Sequence, residues 1–200
     1  MFEWKHVLDF WFGELDGDGL PDEEHRKRWF RSTRKFDQEI RRRFLSVVLF
    51  ASEDGLESWR KEPGGALAEI ILLDQFTRNI YRGTNMAFDN DRLARKRTRQ
   101  AMDRGHDMAL PPVQRAFLYM PLEHSERIED QELAVECYEQ LVAATDGRES
   151  DLMGGFLKAA REHRAIIAEF GRFPHRNRIL KRASTEAEVH WLKEGPTFGQ

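Results

Sequence analysis

The sequence predicts an all-α fold, a set of antiparallel helical hairpins stacked side by side in a single domain over residues 1–200. Three observations carry this expectation. Apolar residues recur at three- and four-residue spacing along most of the chain, and no stretch alternates with a period of two. Short turn signals separate runs of roughly 10 to 20 residues, the length of helices joined as antiparallel neighbours. No shift in composition marks a second domain.

Near the start, Trp4, Val7, Leu8, Trp11 and Leu15 recur at helical spacing. Glu3 and Asp9 lie within that apolar stretch, which has neither a basic start nor a small-residue cleavage site. It therefore reads as part of the fold rather than a signal peptide. Phe36, Ile40, Phe44, Val47 and Val48 form the next stripe, with Ser32 and Thr33 as cap candidates. "PGGALAEIILLDQFTRNI" starts at the breaker Pro63-Gly64-Gly65 and is apolar on nearly every side, the mark of a central buried helix. "DNDRLARKRTRQAMDRG" reads as a charged surface helix closed by Gly105. "PPVQRAFLYMPLEHSE" begins at proline and bends at Pro121. From Asp130 to Ala144, residues Leu133, Cys137, Leu141 and Ala144 share a stripe. Phe156, Ala160, His163, Ile167 and Phe170 form that of a long helix from about Ser150. Thr185 and Glu188 have capping-box spacing for a last helix.

Composition excludes several classes. The chain is 40% hydrophobic and 34% charged, with 14 Phe and 5 Trp, an aromatic-rich globular balance rather than a disordered one. Its 32 basic and 35 acidic residues leave a net charge of -3, so no global field favours nucleic acid or an anionic membrane as partner. "RLARKRTRQ" reads as a solvated helix face rather than an RNA patch. The single cysteine, Cys137, allows no internal disulfide and points to the cytoplasm. No apolar run approaches the roughly 20 residues that span a bilayer, and no tetratricopeptide repeat of about 34 residues is visible.

Three polar clusters stand out. In "FGRFPHRNRIL", Gly171 sits where a left-handed C-cap belongs and Pro174 suits the first turn of a following helix. His175, Arg176 and Asn177 then occupy that turn. Its free N–H groups and dipole favour an anion, with Arg172, Arg176 and Arg178 adding charge. The alternative is a helix corner whose polar groups cap neighbouring helix ends.

In "LLDQFTRNIYRG", Asp74, Gln75, Arg78 and Asn79 interrupt an otherwise apolar helix. Asp74 and Arg78 lie one turn apart and can form a structural ion pair. The functional alternative is a cavity in which Arg78 or Arg82 grips a carboxylate or phosphate.

"PLEHSE" contributes Glu123, His124 and Glu126, which His163 and His175 can join. Acid–base chemistry by Glu123 or His124 is chemically feasible. No HExxH, paired ExxH or cysteine ligand set is present, so neither a metal nor a cofactor is expected. "GDGLPDEE" lacks the ligand order of a calcium loop, and "PGGALAE" and "MGGF" read as helix starts rather than phosphate loops. No GxSxG-type nucleophile occurs, and Cys137 lies mid-stripe, placed to pack rather than react.

"VLDFWFGEL", "ALAEIILLDQFTRNIYRGT" with "AFDND", "ALPPVQRAFLYMPLEHSE", and "REHRAIIAEFGRFPHRNRIL" with "RASTEAE" together resemble the bacterial family catalogued as domain of unknown function 924. The match runs in order over nearly the whole chain. Thr77 stands where the family usually has Pro, and Leu122 where it usually has Phe. The resemblance implies an all-α fold of the tetratricopeptide-like superfamily, with right-handed stacking of hairpins, and implies no activity. Its motifs fall on the polar clusters: Asp74, Gln75, Arg78, Asn79 and Arg82; Glu123 to Glu126; His163; and Arg172 to Asn177.

Together these readings predict a small anionic ligand held in a polar cavity between helices. The alternative is a helical scaffold that binds a peptide or protein partner in its groove. No catalytic residue is assigned.

Overall fold

Residues 2–30 and 33–193 are described in a computed structural model of the chain; helices form its framework, and the extended pairing among them is one isolated antiparallel bridge between Leu15 and Pro21. Helix α1 (Lys5–Phe12) buries Val7, Leu8, Phe10, Trp11 and Phe12. It stops at Gly13, whose φ of 63° belongs to the left-handed region, and a Cβ there would stand 2.8 Å from the His25 ring. Leu15 therefore lies beyond the helix, in the bridge, instead of extending its stripe.

Helix α2 (Glu23–Phe30) was not expected from the sequence. It is polar on most sides and buries Trp29 alone, whose Nε1 donates to the Trp11 carbonyl at 2.9 Å. Helix α3 (Arg34–Ser52) opens at Thr33, whose hydroxyl accepts from the Phe36 N–H at 3.2 Å. Ser32, the other cap candidate, lies outside the described residues.

The central rod is the apolar segment anticipated. Helix α4 (Pro63–Ile71) runs through a π-helical turn (Leu72–Phe76) into the short helix α5 (Thr77–Ile80). Gly65 lets it start close to the preceding turn, since a Cβ there would meet the Trp59 carbonyl oxygen at 2.1 Å. Leu67, Ile70, Ile71, Leu72, Leu73 and Phe76 are fully buried, and α1, α3, helix α6 (Asp91–Asp103) and helix α7 (Pro112–Glu123) pack around the rod.

Helix α6 corrects the expectation of a solvated face. Arg97 is buried, and with Arg60 it holds the fully buried Glu69 of α4, at 3.2 Å from Arg97 and 2.6 and 2.8 Å from Arg60. Arg95 and Arg99 both reach Asp130. Gly105, with φ 68°, comes just after the helix end as expected.

Helix α7 contains Pro121 and is succeeded by α8 (Ile128–Ala143) and α9 (Gly147–Phe170). The last two form an antiparallel hairpin joined through residues 144–146 and packed along its length. Because α9 begins at Gly147, "MGGF" lies inside a helix rather than at a start. Gly171 ends α9 in the left-handed conformation, φ 68°, and its N–H bonds the Ile167 carbonyl at 2.8 Å. The chain then makes a single 3₁₀ turn, Pro174–Arg176, instead of starting an α-helix. Helix α10 (Glu186–Trp191) is opened by the Thr185–Glu188 capping box.

The core is built on aromatic contacts. Phe44 and Phe76 lie 4.7 Å apart between centroids, as do Trp29 and Phe117, while Trp11 meets Phe76 and Phe117 edge-on at 5.4 and 5.7 Å. Each such pair adds about 0.5–1.5 kcal/mol beyond area burial. Ile166, Ile167 and Phe173 form a smaller cluster where α9 meets the 3₁₀ turn. These described residues make one domain whose rod, α7 and α9 converge on the polar clusters.

Candidate functional site

A cavity of about 360 Å³ lies where those elements meet. The rod contributes Gln75, Arg78 and Asn79, and the turn after it Arg82. Helix α7 contributes Met120 and Glu123, with His124 at its end, and α9 contributes Ala159 and His163. His175 and Arg176 come from the 3₁₀ turn, and Trp29, Phe30 and Phe88 supply aromatic wall. Arg78, His124, His163 and His175, scattered in sequence, thus line one space.

The π turn sets the first pair. Asp74 is 1% exposed, and its Oδ1 lies 2.8 Å from His124 Nδ1 and 3.0 Å from Arg78 Nη1. Gln75 Nε2 donates to its Oδ2 at 2.5 Å and approaches Met120 Sδ at 3.2 Å. Burial works to raise the pKa of Asp74, but the charges of Arg78 and His124 outweigh it and hold the carboxyl well below the usual range. Asp74 is therefore an ionised acceptor. The nitrogen facing it, His124 Nδ1, carries a proton, so Nε2 is the ring nitrogen left to exchange one.

A second pair stands beside it. Glu123 Oε1 is 2.8 Å from His163 Nδ1, which is also 2.9 Å from the Ala159 carbonyl one turn back. A carbonyl only accepts, so this Nδ1 is protonated too. The two imidazoles are 6.4 Å apart between centroids, at 80° to each other.

Two arginines complete the inner wall. Asp91, in the first turn of α6, accepts from Arg78 Nη1 at 2.8 Å and from Arg176 Nη1 at 3.5 Å. Arg176 Nη2 donates to the His124 carbonyl at 3.0 Å, and its guanidinium lies 4.7 and 4.4 Å from the ring centres of Phe88 and Phe173. Burial pushes Arg176 down to about 10, with the positive charge of Arg78 adding to the push and Asp91 opposing it. Arg78 Nη2 and Arg176 Nε are buried with no hydrogen-bond partner among the described residues. Burial, then the charges of Arg176 and His163, lower His175 to about 3, so that ring is neutral at neutral pH. Arg82 grips Asp37 of α3 through Nε and Nη2 at 2.8 and 3.1 Å, and Asn79 Nδ2 donates to the same carboxylate at 2.8 Å.

Three residues expected at the site are used elsewhere. Glu126 takes both ends of the Arg182 guanidinium and the Phe173 N–H at 2.8 Å. Arg172 pairs with Glu188 of α10 at 2.6 and 2.8 Å and bonds the Ala183 carbonyl. Its hydrogen bonds hold Glu188 down to about 2. Asn177 accepts from Arg182 Nε at 2.9 Å and donates to Ser184 Oγ at 3.1 Å. The reason is local. A three-residue 3₁₀ turn has no aligned helix dipole to offer an anion, and the Phe173 N–H already points at a carboxylate.

Sequence reasoning missed Asp37, Phe88 and Asp91. Both aspartates occupy first turns of helices, where an acidic residue is expected for the dipole alone, so nothing local set them apart. Among the described residues, no group of three or more His, Cys, Asp or Glu side chains is gathered to hold a metal ion, and no helix is long and apolar enough to cross a membrane.

The sequence profile for bacterial proteins of unknown function designated DUF924 matches residues 7–196. The solved structure of a protein of unknown function from Agrobacterium tumefaciens is 35% identical, with 96% of this chain and 97% of that one covered and a TM-score of 0.82. No curated protein matches the chain significantly.

Proposed function

The chain belongs to the bacterial family DUF924, a family of unknown function, and from its site we infer that it binds a small anionic ligand in the cavity between the rod, α7, α9 and the 3₁₀ turn. One observation carries this reading. Three arginines and three histidines line the space, against the single carboxylate of Glu123. Asp37, Asp74 and Asp91 lie behind them and hold the guanidinium groups in place, yet Asp91 serves two arginines at once.

The orphaned Arg78 Nη2 and Arg176 Nε support the same reading. A buried, unmet donor costs about 1–3 kcal/mol, more when charged, and an anionic oxygen would relieve it. The volume suits a small molecule, since ligand pockets start at roughly 300 Å³. Trp29, Phe30, Phe88 and Met120 would cover its organic part. A phosphate or carboxylate fits the planar forks of arginine.

Isothermal titration of the full chain with inorganic phosphate and with small carboxylates tests this. Binding is expected to weaken at least about tenfold in Arg176→Met, which keeps the apolar stem and removes the charge. Absence of binding by every anion in the wild type would overturn the reading.

A further inference from the structure

We propose that the cavity is catalytic, with His124 and His163 acting as general base and general acid in the hydrolysis of a small phosphate monoester. This rests on the anion reading above and gives it a reaction. The geometry is a matched pair: two imidazoles lining one cavity, 6.4 Å apart between centroids, each with Nδ1–H held by a carboxylate at 2.8 Å. A carboxylate on Nδ1 fixes the tautomer, orients the ring and stabilises the imidazolium that forms when Nε2 takes a proton. One such pair is a common way to satisfy a buried histidine. Two in one cavity, beside guanidinium groups, supply both proton transfers that ester hydrolysis needs.

The substrate class comes from charge and donor count. A phosphate monoester brings two negative charges and three non-bridging oxygens. Arg78, paired with Asp74 and Asp91, and Arg176, at 3.5 Å from the same Asp91 carboxylate, offer two unmet N–H donors on separate guanidinium groups, which a group with several oxygens can meet at once.

In the step, His124 Nε2 accepts a proton from water as the water oxygen bonds to phosphorus. The phosphorus–ester oxygen bond breaks, and the departing oxygen takes the proton from the His163 imidazolium Nε2. The products are an alcohol and inorganic phosphate, with one water consumed. His124 then loses its proton to solvent and His163 regains one. His124 is assigned the base because its side chain is the more open of the two, 18% exposed against 9%, as a group that meets incoming water should be. The charged and titratable groups facing the pair are Asp74 and Arg78 from the rod, Arg82 from the turn after it, Glu123 from α7, Tyr138 of α8 against Glu123, Asp91 from α6, and His175 and Arg176 from the 3₁₀ turn.

The test measures phosphate release by the full chain from p-nitrophenyl phosphate and from a panel of sugar and nucleoside monophosphates. Phosphate affinity is titrated in parallel. Hydrolysis with a bell-shaped pH profile is expected. His124→Asn and His163→Asn, whose amides still donate to the carboxylates, should each lower kcat by about 10²- to 10⁴-fold. Inorganic phosphate should still bind both variants through Arg78 and Arg176, His124→Asn should lose the acid limb of the profile, and His163→Asn the alkaline limb. If the wild type binds phosphate but hydrolyses none of the panel, the catalytic proposal is overturned and the anion reading stands. If it neither binds nor hydrolyses, both fall. Hydrolysis that persists undiminished in both variants also overturns the assignment.

Discussion

Arg182 holds Glu126 with both ends of its guanidinium, Nη1 to Oε2 at 2.7 Å and Nη2 to Oε1 at 2.9 Å. The same arginine bonds Asn177 Oδ1 and the Phe173 carbonyl, at 2.9 and 3.1 Å. One side chain thus ties the segment after α9 to the end of α7. The stretch from Phe170 to Arg182 divides accordingly: His175 and Arg176 face the cavity, while Arg172 and Asn177 build the corner beneath it.

Arg182→Ala is therefore expected to destabilise the fold without touching the ligand. Glu126 would keep only the Phe173 N–H, and losing a forked, charge-assisted pair costs about 1–3 kcal/mol. Urea unfolding gives the loss, and phosphate titration should give wild-type affinity. Weakened binding with unchanged stability would return the corner to the site.

Arg176 and Arg172 should behave in opposite ways. Arg176 is buried beside Arg78, and burial lowers its affinity for the proton it must carry. Asp91 keeps Arg78 when Arg176 is gone, so Arg176→Met should change the unfolding free energy by no more than about 1 kcal/mol, relief of a buried charge offsetting the lost bond to the His124 carbonyl. Arg172→Ala leaves Glu188 without its main partner and should lower the urea midpoint, with ligand affinity intact. A large loss of stability in Arg176→Met would show that its bond to the His124 carbonyl matters more than its charge.

Acid should weaken the protein in two windows. His175 has its folded value lowered to about 3, so between that and its ordinary value near 6.5 the unfolded chain binds the extra proton. Stability is whole above about 6.5 and falls as pH drops, by at most about 1.4 kcal/mol per pH unit from this group. His175→Gln should flatten the slope between pH 6.5 and 5. Glu188, lowered to about 2, contributes stability that is present above its ordinary value near 4.5 and is lost as pH falls toward 2. The gap between wild type and Glu188→Gln should close over that lower range. Urea midpoints across pH 2 to 7 check both; parallel curves for all three proteins would contradict the assignments.

Chelation should not matter to folding. The imidazole nitrogens nearest the carboxylates carry protons, which leaves Asp74–His124 and Glu123–His163 as hydrogen-bonded pairs rather than ligand sets. Thermal melts with and without EDTA should coincide. A drop of many degrees would mean that a metal holds the cavity together.

Most of the framework was legible because packing writes itself into spacing. The stripes of α3 and α9 and the all-round apolar character of α4 are consequences of what those helices touch. On α8, by contrast, Leu133 is half-buried and Ala144, past the helix end, is exposed, and Ala134 and Tyr138 join Cys137 and Leu141 on the buried face. Helix α2 was hidden because it buries only Trp29 and so has no stripe. At the site, Asp74, Arg78, His124 and His163 could be picked out as polar interruptions of apolar faces. Asp74 and Arg78 could also be paired from their one-turn spacing, but partners from other elements, Asp91 and Asp37, could not. Arg82 and Asp37 lie 45 residues apart, and a pairing at that distance leaves no local trace. The turn after Gly171 was misjudged because Pro174 is equally at home opening a 3₁₀ turn or an α-helix.

The π turn at Leu72–Phe76 amounts to one residue more than an α-helix would use for the same path. Each α-helical residue advances the chain by about 100°, so the stretch beyond Phe76 is out of phase with the stretch before Leu72 by about that angle. Glu69 can then look toward the Arg60–Arg97 network while Arg78 and Asn79 look into the cavity, on one unbroken rod. Such a rod tolerates the loss of a residue in an unusual way. Shortening the segment by one would let it relax into ordinary helix with its backbone hydrogen bonds closed. The phase offset would vanish, and Arg78 would swing out of line with Asp91 and His124. Helical circular dichroism should survive such a deletion while anion binding does not, which makes the extra residue a component of the site rather than of the scaffold.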